Sequence, residues 1–168
     1  MKQVDASGEP LILMVEDRDD DVVLIKRAFQ RANVTTAMQV VRDGEEAIAY
    51  LSGLGKYSNR AEYPLPWLTL LDLKMPGIDG FEVLEWVRNR SGLDSLVVVV
   101  LTSSDETRDV EDAYRLGANS FMVKPPDLDR ATDFAGMIDQ YWLQRNRFPE
   151  AARRSAQEID GEEESHGH

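Results

Sequence analysis

Four short apolar runs in this chain each end on residues that can do chemistry. LILMV is followed by Glu16 and Asp17, WLTLL by Asp72, LVVVVL by Thr102 and Ser103, and SFMV by Lys124 and Pro125. Carboxylates brought together repel one another unless a cation joins them, and hard oxygen ligands without His or Cys favour Mg²⁺ or a similar ion. Glu16, Asp17 and Asp72 therefore imply a divalent metal. Asp72 follows an almost wholly apolar run, where an unpaired charge is costly. Lys124, also after an apolar run, can pair with Asp72 or with an anion placed on it. Thr102 adds a hydroxyl. Carboxylate nucleophile, metal, lysine and hydroxyl are the parts needed to transfer a phosphoryl group to an aspartate. Asp19, Asp20 and Asp21 have a plainer explanation as acids favoured at a helix N-terminus.

The elements that must position these residues are legible from periodicity. Apolar runs of strand length alternate with stretches of helical period, the pattern of an α/β fold with a parallel sheet covered by helices on both faces. Strands are predicted at Leu11 to Val15, Met38 to Val41, Trp67 to Leu71, Leu96 to Leu101 and Ser120 to Val123. Three helical stripes are predicted as core. They are Ile25, Ala28, Phe29 and Ala32; then Val110, Ala113, Tyr114 and Gly117; then Leu128, Ala131, Phe134, Ala135, Ile138, Tyr141 and Trp142. In open parallel sheets ligands bind outside the carboxyl ends of the strands, and every candidate above falls on that edge.

Residues 1–8 read as an N-terminal tail, 9–146 as one domain and 147–168 as a C-terminal extension. Within the domain, 52–66 is rich in Gly, Pro and polar residues and is expected to form an exposed loop, ordered in part. From Glu158 onward the extension carries five acidic residues and no basic ones, so disorder is expected there. Tyr141, Trp142, Leu143 and Phe148 put more large apolar groups near the last helix than one face can bury, which points to a homodimer; the plainer alternative is that Trp142 and Phe148 fold back on their own domain.

Composition narrows the partners. A formal charge of −12 would repel nucleic acid phosphates and anionic membrane surfaces, and no basic face is segregated, so direct nucleic acid binding is not expected. There is no cysteine, no signal-peptide pattern and no apolar stretch near the ~20 residues of a membrane span, so a cytoplasmic, non-membrane protein is expected.

The segments LILMVED, LLDLKMPGIDGFEVL, VVVLTSSD and GANSFMVKP, in this order and spacing, resemble the signature of two-component response regulator receiver domains. The resemblance spans roughly Leu11 to Trp142. It implies a flavodoxin-like, doubly wound five-stranded parallel sheet in order 2-1-3-4-5. It makes Asp72 the phosphoacceptor for a sensor histidine kinase, with Mg²⁺ held by Asp17, Asp72 and the backbone carbonyl of Lys74. Glu16, in place of the commoner Asp, is expected to act more through water than by direct coordination. Thr102, with Ser103 beside it, becomes the switch hydroxyl, Phe121 the switch aromatic, Lys124 the phosphate partner, and Lys124–Pro125 a cis peptide. Such a domain signals by changing shape and is not an enzyme acting on a metabolite. The long 52–66 loop and KPPDLD resemble, more narrowly, the single-domain regulators that serve bacterial phytochromes.

Three rival readings are weaker. A haloacid dehalogenase-type phosphatase needs a second Asp two residues after its nucleophile, where this chain has Lys74. A flavodoxin-like flavin carrier needs a phosphate loop where this chain has EDRDDD. A pseudo-receiver would have no use for Asp72, Thr102 and Lys124 together.

Overall fold

The computed structural model describes residues 9–149. The expected N-terminal tail and acidic C-terminal tail lie outside these residues. Five strands, β1 (Leu11–Val15), β2 (Ala37–Val41), β3 (Leu68–Leu71), β4 (Val97–Thr102) and β5 (Ser120–Val123), form one sheet in the order β2-β1-β3-β4-β5, every pair parallel. The expected α/β architecture and strand order are both present. Two strands, β2 and β3, differ by one residue at their start, and β4 is shifted by one at both ends, running on to Thr102, which pairs with Val123.

Helices α1 (Asp19–Arg31) and α5 (Leu128–Met137) cover one face, and α2 (Gly44–Ser52), α3 (Gly80–Arg88) and α4 (Thr107–Arg115) the other. Alternation along β1 divides its side chains: Leu11, Leu13 and Val15 join the core under α2 and α3, and Ile12 and Met14 the core under α1 and α5. This two-sided burial explains why the strands read as unbroken apolar runs. Three of the chain's aspartates have only a local task. Asp43, Asp79 and Asp127 cap α2, α3 and α5 by accepting from the backbone N–H three residues on.

Gly80 begins α3 pressed against the backbone of Asp72 and Leu73. A Cβ there would lie 2.2 Å from the Asp72 carbonyl oxygen and 2.7 Å from the Leu73 Cα, both backbone atoms that cannot yield separately. Gly80→Ala is therefore expected to lower stability on the order of 3 kcal/mol, read as the shift of the urea midpoint at unchanged m-value.

Several expectations need correction. The 52–66 segment is exposed along much of its length, as expected, but it is also docked on the domain. Arg60 donates to the Tyr50 and Leu51 carbonyls at 2.6 and 2.7 Å, satisfying the end of α2, and the Tyr50, Tyr57 and Tyr63 rings pack on one another. In the second stripe Ala113 is buried, yet Tyr114 is 49% exposed and Asp109 takes the buried position one turn earlier. In the third, the chain widens after α5 into a π-helical turn over Ile138–Leu143, which rotates Tyr141 outward to 53% exposure while Ile138 stays buried. Phe148 is buried against Trp67, and Trp142 and Leu143 pack on the same core, so the packed body runs past the expected boundary at 146. The plainer alternative holds for Trp142 and Phe148: the apolar groups offered for a homodimer are largely spent on their own domain. Among the described residues no helix is long and apolar enough to cross a membrane.

Candidate functional site

Backbone hydrogen bonds just beyond the strands bring the predicted residues to one edge. The Glu16 N–H donates to Val41, the Asp72 N–H to Val15 and the Lys124 N–H to Thr102, at 3.0, 3.1 and 2.8 Å. Each ladder thus continues one step past its strand and sets the reactive side chain where the apolar walls end. Glu16, Asp17 and Asp72 each offer an oxygen such that all three oxygens lie within 4.8 Å of one another.

The Lys124 ammonium lies at the centre, 2.7 Å from Glu16 Oε2, 2.8 Å from Asp21 Oδ2 and 3.0 Å from Asp72 Oδ2. Burial alone would discharge this lysine, but hydrogen bonds to Asp21, Glu16 and Asp72 outweigh it and hold the ammonium charged well above the usual lysine range. Four acids nevertheless surround one base, and that surplus of negative charge suits a dication. A specific atom marks where it would bind: Asp17 Oδ1 is buried with no hydrogen-bond partner. An orphaned carboxylate oxygen costs desolvation free energy until a ligand meets it, so this donor set fits a hard divalent metal.

Glu16 has both oxygens engaged, Oε2 by Lys124 and Oε1 by the Arg18 N–H at 3.1 Å. That supports a role for Glu16 at one remove from the metal. Its burial pushes the carboxyl up to about 7, a rise that Asp72 reinforces and that Lys124 only partly offsets. The folded metal-free protein thus holds a proton on Glu16 more tightly than the unfolded chain does. The stability linked to that proton is complete below about pH 4.5, the ordinary value, and is lost as pH rises through about 7. With a chelator present, the thermal midpoint is expected to fall between pH 5 and 8 (on the order of a unit either side of the Glu16 value), and Glu16→Gln should flatten this fall.

Thr102 is fully buried and its hydroxyl also has no partner, while Ser103 is exposed. Thr102 pairs with Val123 and Phe121 with Val100, so the alternation of the sheet puts Thr102 and Phe121 on the same face, that of α4. Phe121 is half-buried there. Lys74 folds its N–H toward Asp72 Oδ1 at 3.4 Å, but its side chain leaves the site, crossing the Phe81 ring to reach Asp109 on α4 at 3.3 Å. Asp109 also accepts from the Ser104 hydroxyl at 2.6 Å, which, with Lys74, holds its carboxyl below the usual range. The Lys124–Pro125 peptide is trans, against the cis expectation. The intrinsic preference of an X–Pro bond is for trans, and Lys124 makes all three of its ion pairs from it.

Three participants escaped the sequence reading. Asp21 reads from sequence as a helix-dipole acid, and nothing in its spacing marks it as a partner of Lys124. Asp109 and Ser104 carried no local signal at all.

Residues 12–134 match the family model described as the response regulator receiver domain. A probable methanogenesis regulatory protein, FilR2 of Methanothrix harundinacea, is 37% identical over 146 residues, covering 87% of this chain and 92% of its own. Response regulator Rcp1 of Synechocystis is 34% identical over 148 residues, covering 88% of this chain and 99% of its own. The Mn²⁺-bound structure of Rcp1 superposes with a TM-score of 0.74 over 83% of this chain and 99% of that one. The phosphorylated cyanobacterial phytochrome response regulator RcpA superposes with a TM-score of 0.77 at 34% identity, over 84% of this chain and 99% of its own. With the sheet order, the acidic edge and a family match over most of its length in agreement, the chain belongs to the receiver domains of two-component response regulators.

Proposed function

We propose that this protein is a response regulator that accepts a phosphoryl group from a sensor histidine kinase onto Asp72 with Mg²⁺, and signals by switching its protein contacts. One observation carries the reading: Asp72 is buried to 3% exposure and paired with Lys124, while Asp17 Oδ1 and Thr102 Oγ1 stand buried and unpartnered at the same sheet edge. Asp72 supplies the attacking carboxylate oxygen. The P–N bond of a phosphohistidine breaks as the P–O bond to Asp72 forms, and the imidazole leaves with the electron pair. Asp17, Asp72 and the Lys74 carbonyl would hold Mg²⁺, with Glu16 behind them. When bound, the metal would neutralise charge on the transferring oxygens. Lys124 and the Thr102 hydroxyl offer donors to those same oxygens. As Thr102 turns to the phosphoryl group, Phe121 on the same face takes up the space it leaves, biasing the surface built by α4, β5 and α5 between two packings.

The kinase is proposed to be of phytochrome type, on the strength of the likeness to RcpA and Rcp1. The proposed homodimer draws on Tyr114, Val123, Met137 and Tyr141, the large apolar side chains left exposed on the α4–β5–α5 surface. The test is incubation with acetyl phosphate and Mg²⁺ followed by intact-mass measurement. One base-labile phosphoryl group per chain is expected, and a folded protein that gains none overturns the reading.

A further inference from the structure

We propose that Asp21 is a positioning residue for phosphoryl transfer, holding the Lys124 ammonium at the site through a contact that neither the phosphoacceptor nor the metal ligands share. The proposal rests on the reading of Asp72 as phosphoacceptor. Lys124 has three N–H donors and three carboxylates to receive them. Two of those carboxylates, Glu16 and Asp72, belong to the acidic cluster whose oxygens converge; Asp21 does not. Asp72, which must receive the phosphoryl group, cannot keep its full contact with the lysine, and Glu16 meets it from within the acidic cluster. Asp21 holds it from outside that cluster.

The setting suits that task. Asp21 stands on the first turn of α1, anchored by the buried Val22 and Ile25, and reaches Lys124 across 103 residues of sequence. The pair lies beside Met14, Leu24, Ile25, Leu101 and Pro125, an apolar lining that limits competition from water. The lysine side chain is 11% exposed and that of Asp21 27%, so the contact is shielded in a way surface ion pairs are not. Arg18, 3.7 Å away and itself exposed, is the other cation near Asp21 and steadies it without replacing Lys124. A lysine stem freed from all three acids would regain its rotamer freedom. Held by Asp21, the ammonium keeps its place and can turn the donor that Asp72 releases toward the incoming oxygens.

Two measurements test this on the full chain, comparing wild type with Asp21→Asn and Asp21→Glu. The first needs no phosphorylation. The Lys124 ammonium resonance, assigned by its loss in Lys124→Arg, is followed by ¹H–¹⁵N NMR at saturating Mg²⁺. It is expected to persist in wild type and Asp21→Glu and to broaden away in Asp21→Asn. The second is the rate of phosphorylation by acetyl phosphate. Asp21→Asn is expected to lose about ten- to a hundredfold at saturating phosphodonor, with the half-saturating concentrations of phosphodonor and Mg²⁺ nearly unchanged, and Asp21→Glu to recover most of the rate. A sharp ammonium resonance in Mg²⁺-saturated Asp21→Asn, or a wild-type rate in that variant, overturns the proposal. A wild type that takes no phosphate refutes the role of Asp72, and the ammonium resonance still decides whether Asp21 holds the lysine.

Discussion

Asp72→Asn is expected to take no phosphoryl group at all from acetyl phosphate and Mg²⁺, while keeping its fold and matching or exceeding the wild-type thermal midpoint in the absence of metal. The loss is complete because an amide oxygen is no nucleophile toward phosphorus and no neighbour can substitute. The accompanying stability follows from charge. Lys124 retains Glu16 and Asp21 at 2.7 and 2.8 Å, so the lysine is not orphaned, and one negative charge leaves a cluster that already holds more acids than bases. The Asn amide keeps one oxygen and can still accept from Lys124. Intact mass and scanning calorimetry on the same samples check both halves. Retained labelling would place the phosphoacceptor elsewhere.

Asp17→Ala is expected to weaken Mg²⁺ binding at least about a hundredfold, the upper end of what even outer-shell partners of a metal contribute, and to lose phosphorylation with it. Its metal-free stability should not fall, because the substitution removes a buried oxygen that has no hydrogen-bond partner. The variant thus separates binding from folding: the metal-free midpoint holds or rises, and the rise on adding Mg²⁺ disappears. Asp20→Ala serves as the control, since Asp20 is exposed and makes no contact with Lys124. Isothermal titration calorimetry is the suitable readout. Trp67 lies against Phe148 just before β3, about 16 Å from Asp72 at ~3.3 Å per strand residue, and its fluorescence is not expected to report on the metal. Equal losses in the two variants would mean that the metal sits elsewhere.

The sequence by itself determined the architecture and most of the site. Apolar runs such as LVVVVL can satisfy themselves only when buried on both faces, which demands a parallel sheet covered by helices. Once that sheet exists, whatever follows each run stands at its carboxyl edge. Glu16, Asp17, Asp72, Thr102 and Lys124 were legible for this reason alone, without any knowledge of distances between them. Periodicity also reports which side of a helix faces inward, so long as the pitch is regular; the π turn at Ile138–Leu143 changes that pitch, and Tyr141 turned out where a stripe of constant period placed it in.

What only the tertiary structure decided concerns the partners of polar groups. Asp21 and Asp20 are indistinguishable as acids at a helix start, yet one meets Lys124 and the other meets solvent. Lys74 sits two residues from Asp72 and still sends its ammonium away to Asp109. Arg60 fastens a Gly- and Pro-rich segment that composition described only as loop. Pattern along a chain encodes burial, because burial is a property of faces and faces recur with fixed period. An ion pair or hydrogen bond is decided by a few ångströms between atoms that folding brings together from distant parts of the chain, and no local period carries that distance.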